Sequence, residues 1–467
     1  MLRSYWLEEA LATAADRAPQ LEGDIRADVC IVGGGYTGLW TAIRLKEHDP
    51  SLDVVLIESD ICGGGASGRN GGFILSWWAK FSTLKKLCGH AEALRLAQAS
   101  AAAVREIGTF CDRHEIDAHY RYDGWLWAAT SPAQIGAWDS VITELEQHGL
   151  KPFTALSPDE VAQRSGSPTH LSGIFEPTAA IVQPALLARG LRRVALEHGV
   201  RIFERSPMVV LERRTPPQVR TARGSVTAER VVLALNAWAA RLREFRRKFI
   251  VISSDIVATA PIPNRLAEIG WRDGLAISDS RLLVNYYRTT HDGRIAFGKG
   301  GGTLAFCGRV GPAFEGASPR AAEVTASLRA LYPSLADVPI DSSWTGPIDR
   351  TMSGMPIFGQ LGKRPDILYG LGYSGNGVGP SFVGGRILAS LALGLKDEWA
   401  SAGLVKAPIS NFPPEPARFV GGFIVRAAVA RKERAEDASR RPDAVTVGIA
   451  RLAPASLVPI KETRTKH

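Results

Sequence analysis

Three glycines at fixed spacing, Gly33, Gly35 and Gly38, follow directly on an apolar run near the start of the chain. Twenty residues past Gly38, the acid Glu58 closes a second apolar run, Val54–Ile57. Glycines at this spacing permit a tight turn, a close approach of backbone to phosphate, and close packing of a helix on a sheet. The pattern of strand, glycine turn, helix and strand with a terminal acid predicts a dinucleotide site.

The helix predicted to begin at Tyr36 has unpaired N–H groups in its first turn, among them those of Tyr36 and Thr37. These groups and the positive end of the helix dipole would face the phosphates of the nucleotide. Glu58 stands where a carboxylate accepts hydrogen bonds from ribose hydroxyls.

A second glycine-rich segment, Gly63–Phe73 (GGGASGRNGGF), comes soon after Glu58. Simple nicotinamide enzymes do not need it, whereas a longer cofactor lying extended along the protein needs backbone at close range over much of its length. A flexible solvated loop is the alternative interpretation. The hydrogen-bonding side chains are Ser67, Arg69 and Asn70, and the close-approach positions are Gly71 and Gly72.

A third segment, Tyr369–Val378 (YGLGYSGNGV), again has the pattern of a strand, a glycine turn and a helix start. Backbone N–H groups aimed at a carbonyl would stabilise negative charge there, of the kind that a reduced flavin carries near its pyrimidine ring. Another tight connection between a strand and a helix is the alternative. The predicted binding positions are Gly375, Asn376, Gly377 and Val378.

The composition is that of an ordinary globular protein, with 45% hydrophobic and 22% charged residues. The net charge of +9 is concentrated in Arg241–Lys248 and in the tail after Arg418. These stretches lack the interleaved aromatics of a nucleic-acid module, so we expect no nucleic-acid partner. The positive charge gives weak support for an anionic substrate.

No apolar run approaches the roughly 20 residues of a transmembrane helix, and the N-terminus carries acids where a secretory signal would be apolar. The five cysteines show no C-x-x-C spacing. This usage predicts a cytoplasmic protein without a disulfide framework. The histidines show no ligand spacing either, so we expect no metal site.

The strand–helix pattern opens the chain and returns near its end, around an alternating, strand-rich stretch from Phe249 to about Arg309. We therefore predict an α/β protein with a discontinuous Rossmann-type cofactor domain and an α+β substrate domain built on a mainly antiparallel sheet. Within it, Tyr120–Ala129 predicts a hairpin and Phe423–Ala438 a helix. The predicted bounds are 1–85, 150–245 and 340–398 for the cofactor domain, 86–149 and 246–339 for the substrate or cap domain, and 399–467 for a basic helix and tail.

Four motifs taken together, ADVCIVGGGYTGL, GASGRNGGF, WTGPIDRTMSGMPIFG and YGLGYSGNGV, resemble the FAD-dependent D-amino-acid oxidase/glycine oxidase (DAO) superfamily. The likeness runs over roughly residues 4–395 and is greatest to its gamma-glutamylputrescine oxidase-like and aminophosphonate oxidoreductase branch. It implies that the cofactor domain binds FAD non-covalently in an extended pose, with the backbone of Val209 at the adenine. Covalent relatives attach the flavin through a cysteine shortly before the last glycine turn, and no cysteine lies near that turn here, so covalent attachment is not expected.

The resemblance implies oxidation of a C–N bond. A C–H beside a neutral amine gives hydride to flavin N5, and the resulting imine hydrolyses to a carbonyl compound and ammonia or an amine. A dry pocket favours loss of the ammonium proton, because burial disfavours the charged form. The small-molecule partners would be an amine, such as an aminophosphonate or a gamma-glutamyl-polyamine, and an electron acceptor, either oxygen or a quinone.

The chain departs from glycine-oxidising members of the superfamily at two positions. Those members carry arginines for the substrate carboxylate where this chain has Ile348 and Gly375, which argues against a simple α-amino acid substrate. Asp349, next to the first position, could instead hold an ammonium group. The other candidates are Arg288, Tyr287 and Lys80 for an alternative anion site and Lys299 as a positive charge that speeds oxygen reduction.

Two further functions stay open at this point. One is a flavin-containing binding or assembly subunit without its own turnover, and the other is an NAD-linked dehydrogenase in which Gly63–Phe73 is only a loop. The sequence does not select the amine, the electron acceptor, the oligomeric state or a role for the tail.

Overall fold

The structure is a computed structural model that describes residues 3–13 and 17–455. Its helices are α1 (Tyr5–Thr13), α2 (Tyr36–His48), α3 (Phe81–Cys88), α4 (His90–Arg113), α5 (Asp139–Glu146), α6 (Pro158–Ser165), α7 (Pro184–Glu197), α8 (Pro263–Glu268), α9 (Ala321–Leu331), α10 (Val378–Leu393), α11 (Gly403–Lys406), α12 (Ala417–Asp437) and α13 (Ala444–Ala450). Its strands are β1 (Gly23–Val32), β2 (Val54–Ile57), β3 (Phe73–Ile74), β4 (Trp125–Ala129), β5 (Thr154–Leu156), β6 (Ser172–Glu176), β7 (Ala180–Ile181), β8 (Arg201–Phe203), β9 (Val210–Glu212), β10 (Gln218–Arg220), β11 (Gly224–Leu233), β12 (Phe249–Thr259), β13 (Ala276–Asp279), β14 (Asn285–Thr289), β15 (Ile295–Lys299), β16 (Ile340–Thr351), β17 (Ile357–Leu361) and β18 (Arg364–Leu371).

The first large sheet has the strand order β17-β18-β11-β1-β2-β8, with β9 and β10 pairing beside β11. Its neighbours from β18 to β8 run parallel, and β17 is antiparallel to β18. The last four residues of β1 and all of β2 are buried. Helices cover a parallel sheet on both faces, and this is why β1 and β2 contain continuous apolar runs. The strand–helix pattern predicted at the chain end thus returns to the same sheet, with β18 beside β11.

The second large sheet has the order β16-β12-β15-β14-β13-β4-β6-β5. Its neighbours are antiparallel except for β13 and β4, which run parallel. The prediction of a Rossmann-type sheet combined with a mainly antiparallel sheet is confirmed.

The predicted hairpin at Tyr120–Ala129 is wrong. Only Trp125–Ala129 is a strand, and it pairs with β13 and β6 rather than with the residues before the Asp123-Gly124 turn. All five residues of this strand are buried. Burial of Trp125 and Trp127 between distant strands therefore overrides the local turn signal.

Sheet pairing also differs from two predicted domain boundaries. The strands β5 and β6, after position 150, and β16, after position 340, all belong to the second sheet. The predicted bounds assign these three strands to the cofactor domain, whereas their pairing places them in the second sheet. The division of the chain into domains stays a prediction.

The C-terminal helices dock on the second sheet near the turn between β13 and β14. The Glu433 carboxylate of α12 accepts hydrogen bonds from the N–H groups of Leu282 and Leu283, at 2.7 and 3.1 Å. Ala450 of α13 is buried against Leu283. Helix α12 begins six residues earlier than the sequence predicts, at Ala417. Among residues 3–13 and 17–455, no helix is long and apolar enough to span a membrane.

Candidate active site

The three glycine-bearing segments line one cavity with a volume of about 930 Å³. Ligand cavities in proteins are commonly about 300–1,000 Å³, so this one is large enough for an extended cofactor. The predicted cofactor residues at its wall are Gly33, Gly35, Tyr36, Thr37, Glu58, Ser67, Arg69, Asn70, Gly71, Val209, Gly375, Asn376, Gly377 and Val378.

The glycines of the first turn allow α2 to lie against the end of β1. Gly33 has a φ of +117°, and a Cβ there would lie 2.4 Å from the carbonyl oxygen of Ala234. A Cβ on Gly38 would lie 1.9 Å from the carbonyl oxygen of Gly33. Side chains at these positions would collide with backbone, so the turn keeps its shape only with glycine. Gly38 acts behind the cavity wall, through this packing.

Glu58 lies at the wall, and its carboxylate already binds two backbone N–H groups. One oxygen accepts from Gly34 at 2.7 Å and the other from Asp60 at 2.9 Å. Burial raises the pKa of this carboxyl, while those two hydrogen bonds oppose the rise. Glu58 thus fixes the turn of the first segment and presents its remaining acceptor capacity to the cavity.

The polar side chains of the second segment hold the loop in shape. The Ser67 hydroxyl accepts the N–H of Tyr36 at 2.9 Å, at the start of α2. Arg69 Nε donates to the carbonyl of Gly64 at 3.1 Å. Asn70 donates to the carbonyl of Ser67 at 2.9 Å and accepts the N–H of Gly72 at 2.7 Å. The segment is therefore a structured loop, and the N–H of Gly72 points to Asn70, not to a ring system.

The two positions that distinguish this chain from glycine-oxidising relatives meet in space. Gly375 has a φ of +91°, and a Cβ there would lie 3.3 Å from Cδ1 of Ile348. Both residues line the cavity. The two residues themselves form an apolar part of the wall.

Asp349 is buried at the cavity wall directly beside this apolar contact. Its Oδ2 accepts the N–H of Gly372 at 2.5 Å. Its Oδ1 has no hydrogen-bond partner among the described residues. Burial raises the pKa of the carboxyl to about 7, against the opposing effect of the Gly372 N–H. A buried carboxylate oxygen without a partner can accept a proton or an ammonium group from a ligand.

Two cations, Lys80 and Arg350, also line the cavity. Arg350 donates to the carbonyl oxygen of Ala455 at 2.8 Å. Burial lowers the pKa of Lys80 to about 7, and the positive charge of Arg350 contributes to this. Burial also lowers the pKa of Arg350, to about 10.

Strands β14 and β15 each place one of the predicted residues, Tyr287 and Lys299, away from the cavity. Tyr287 is fully buried in the core, where it contacts the His170 ring nitrogen and stacks on Phe297 at 4.9 Å. Lys299 donates to Asn285 at 3.0 Å. Both residues lie on the face of the second sheet opposite Tyr286, which is at the cavity wall. Neither Tyr287 nor Lys299 lines the cavity, contrary to the prediction of roles beside the flavin.

Arg288 supports the second segment from behind. Its Nε donates to the carbonyl of Gly71 at 2.8 Å, and a second nitrogen donates to the carbonyl of Val182 at 2.6 Å. Its guanidinium lies 4.8 Å from the centre of the Trp6 ring. Arg288 therefore positions Gly71 and leaves the predicted anion site to other residues.

Sequence reasoning missed Tyr286, Arg350 and Ala455. A Cβ on Gly71 would lie 2.8 Å from the Tyr286 ring, so this ring covers the second segment. The alternation of β14 predicts that Tyr286 and Tyr287 face opposite ways, but gives no sign of which one faces the site. Arg350 stands two residues past Ile348 in a recognised motif, and that position was a signal available in the sequence.

Comparison with known proteins agrees with this geometry. The family model described as FAD dependent oxidoreductase (DAO) matches residues 28–391. Gamma-glutamylputrescine oxidoreductase of Escherichia coli is 30% identical over 422 residues, covering 89% of this chain and 93% of the relative. A probable oxidoreductase, OrdL, of Haemophilus influenzae is 29% identical over 403 residues, covering 84% and 88%.

Among solved structures, glycine oxidase from Geobacillus kaustophilus has the same fold. The TM-score is 0.66 at 20% identity, over 84% of this chain and 100% of the glycine oxidase. The family match covers all three glycine-bearing segments and both large sheets. The chain thus belongs to the DAO family of FAD-dependent oxidoreductases.

Proposed function

We propose that this protein oxidises the C–N bond of a small amine that has no carboxylate on the reacting carbon. The observation that carries the proposal is Asp349, a buried carboxylate at the cavity wall with one oxygen that has no hydrogen-bond partner in the described part of the chain. It lies beside the apolar contact of Ile348 and Gly375. This arrangement offers an acceptor to an amine and places apolar groups at the two positions where glycine-oxidising members of the family carry arginines for the substrate carboxylate.

The residues present fit FAD. Glycine backbone at the first turn, the N-terminus of α2, the loop 63–73 and the N-terminus of α10 face one continuous cavity. Helix N-termini of this kind stabilise phosphates and developing negative charge. When bound, FAD supplies the acceptor for two electrons and a proton from the amine carbon.

The protein's own part is to position the amine and remove its proton. An amine enters as an ammonium ion and must lose a proton before its C–H bond is oxidised. We propose that Oδ1 of Asp349, which has no partner among the described residues, accepts that proton, since the carboxyl's pKa of about 7 suits transfer near neutral pH. The Gly372 N–H holds the carboxylate in position.

The E. coli relative named gamma-glutamylputrescine oxidoreductase supports a substrate with an amine far from any α-carboxylate. We therefore propose gamma-glutamyl-polyamines and aminophosphonates as the substrate classes, with oxygen or a quinone as electron acceptor. Non-covalent binding of FAD, with Val209 at the adenine, and a cytoplasmic location are part of the same proposal.

Anaerobic flavin bleaching against a panel of amines tests this function. We expect amines without an α-carboxylate to reduce the bound flavin, and glycine to leave it oxidised. A flavin that no amine on the panel bleaches would favour a binding or assembly subunit without turnover. Purified protein that retains no FAD but binds NADH would favour the NAD-linked alternative.

A further inference from the structure

We propose that the exposed face of helix α12, together with the arginines at its two ends, docks on a bilayer surface that contains anionic lipid. The inference is independent of the proposed function, because it concerns the surface to which the protein binds and not the molecule that it oxidises. It gives a role to the positive charge of the two stretches singled out in the sequence, Arg241–Lys248 and the tail after Arg418.

Helix α12 exposes an apolar stripe where a helix on a protein surface normally exposes polar groups. Val420, Phe423 and Ile424 are 52%, 46% and 52% exposed. Their spacing of three and four residues puts them on one face of the helix, and the exposed Ala427 continues that face. The opposite face packs on the protein, as the buried Val429 shows.

Neighbouring side chains widen this stripe. Phe306, which is 48% exposed, lies 5.3 Å from Phe419, and Phe419 lies 4.8 Å from Phe423, measured between ring centroids. Helix α13, which packs beside α12, exposes Val445 and Leu452 to 71% and 70%. Most of the large hydrophobic side chains that are exposed in the described chain therefore lie in this region. Such a concentration indicates an interaction surface.

The first basic stretch lies against the start of α12. A guanidinium nitrogen of Arg418 donates to the carbonyl of Arg246. Nε of Arg247 donates to the carbonyl of Phe412 at 2.8 Å, five residues before the helix begins. Because Arg246 and Arg247 are exposed, the stretch Arg241–Lys248 brings positive charge to the N-terminal end of the apolar stripe.

The second basic stretch continues the stripe at its other end. Arg431 and Arg434 follow Ile424 and Ala427 by seven residues, so they share the same helix face two turns further on. Both arginines are exposed. The next exposed arginines are Arg440 and Arg441.

The acids of α12 bind other partners and do not balance this charge. Asp437 binds Arg281 at 2.6 Å, and Glu436 binds a lysine one turn before it at 2.6 Å. Within residues 3–13 and 17–455, no carboxylate forms an ion pair with Arg434 or Arg441. The surface around the apolar stripe therefore keeps a net positive charge.

An anionic bilayer matches this layout of charge and apolar area. A helix that lies in the membrane interface buries its apolar face about 5–10 Å into the boundary between headgroups and acyl chains, with basic residues beside it. A second copy docked by two-fold symmetry would instead bring the arginines of both copies together, where like charges repel. A nucleic acid would pair with the arginines but leave the apolar stripe in water.

Co-sedimentation of the full-length, FAD-loaded protein with vesicles tests the docking. The vesicles contain equal parts of phosphatidylglycerol and phosphatidylcholine, and vesicles of phosphatidylcholine alone are the comparison. We expect binding to the anionic vesicles and binding to the neutral ones that is about tenfold weaker or more. Binding to the anionic vesicles should weaken as salt rises, since salt screens the arginines.

Substitutions on the exposed face separate its apolar and basic parts. Phe423→Gln and Ile424→Gln keep a good helix former and should each weaken binding to anionic vesicles about tenfold, because each removes apolar area that the bilayer would bury. Arg434→Gln and Arg441→Gln should each weaken it about fivefold, since a basic residue near an anionic surface contributes about 1 kcal/mol.

Matched controls lie on exposed positions of other helices. Leu196→Gln changes a side chain of α7 that is 39% exposed, and Arg329→Gln changes an exposed arginine of α9. Both should bind vesicles as the wild type does. All the substitutions should leave bound FAD and the thermal midpoint unchanged, because they are made on the protein surface.

Insertion into the bilayer has its own readout. In Phe423→Trp, the added indole should be quenched by vesicles whose acyl chains are brominated, beyond the quenching of the wild-type tryptophans. Quenching equal to that of the wild type would mean that the stripe does not reach the hydrocarbon, and would overturn the proposal.

Failure of the wild type to bind anionic vesicles would also overturn it, as would equal binding by the wild type, Phe423→Gln and Ile424→Gln. A wild-type dimer that becomes monomeric in these two variants, without vesicle binding by either form, would assign the stripe to a second copy. The proposed function is tested separately. If the protein binds anionic vesicles through α12 but no amine bleaches its flavin, the docking surface stands and the amine oxidation fails.

Discussion

The charge of a single carboxyl, that of Asp349, decides much of the chemistry proposed for this cavity. Asp349 is next in sequence to Ile348, the position at which an arginine would bind an α-carboxylate. The Asp349 carboxyl is buried, and its Oδ1 has no hydrogen-bond partner among the described residues. Loss of water around the carboxyl raises its pKa, because the charged form is the one that water stabilises. A ligand ammonium reverses this effect, since an opposite charge favours ionisation.

We expect Asp349→Asn to lower the rate of anaerobic flavin reduction by about 10²–10⁴-fold, the usual contribution of a general base. The asparagine keeps the shape but cannot take a proton. In the wild type, the carboxylate form is populated as pH rises through about 7, so kcat/KM should fall below that pH. Stopped-flow reduction between pH 5.5 and 9 measures both effects. A variant with the wild-type rate and the same acid limb would remove Asp349 from the mechanism.

Gly38 gives a second prediction at the residue scale. In Gly38→Ala, the added Cβ would lie 1.9 Å from the carbonyl oxygen of Gly33, so α2 must shift away from the turn. We expect the purified variant to retain little FAD and to melt at a lower temperature. Gly421→Ala in α12 is the control, since a Cβ there meets nothing within 4 Å. A gain of about 0.5–1 kcal/mol is usual for this exchange in a helix interior.

At the scale of elements, the alternation of β14 sorts neighbouring residues to opposite faces of a sheet. Tyr286 covers the glycine loop, whereas Tyr287 joins the aromatic core behind it. The same strand brings Arg288 to the loop from behind. Which face of β14 meets the cavity depends on how the second sheet packs against the first, and the sequence of the strand does not specify that packing.

Glu433 is a buried acid among the polar groups that dock helix α12. In Glu433→Ala, the N–H groups of Leu282 and Leu283 lose their acceptor, which should cost about 1–3 kcal/mol of unfolding free energy. Glu433→Gln keeps an acceptor oxygen and should lose less. Thermal denaturation compares both with Glu229→Ala, an exposed acid on β11. Equal stability of Glu433→Ala and Glu229→Ala would show that α12 is held by its other contacts, such as the Arg281–Asp437 ion pair.

At the scale of the whole molecule, the cavity joins parts of the chain that are far apart in sequence. Its wall takes residues from the first sheet, from the second sheet and from the C-terminal segment, as Gly33, Tyr286 and Ala455 show. A cofactor held there contacts both sheets at once. Its binding free energy should therefore add to the stability of the whole fold.

Removal of FAD should lower the thermal midpoint of the whole chain. At free FAD 1,000-fold above its dissociation constant, linkage predicts about 4.1 kcal/mol of added stability. Calorimetry of the protein with and without FAD, at several FAD concentrations, measures this. A midpoint that does not move with FAD would mean that the cavity does not bind it.

The sequence by itself determined the elements and chemistry that depend on local pattern. Glycine spacing and apolar runs identified the Rossmann-type unit, the two further glycine-rich loops and the family, because turns, helix starts and buried strands are encoded over a few residues. The sequence also singled out Ile348, Gly375 and Asp349 by their positions within motifs.

Tertiary structure alone decided which of the candidates meet. It brought Gly375 against Ile348 and placed Lys80, Arg350 and Ala455 at the wall of one cavity. It placed Tyr287 and Lys299 on the face of the second sheet opposite Tyr286. The physical reason is that contacts between distant segments depend on strand pairing, facing and packing of the complete fold, and no local pattern specifies these.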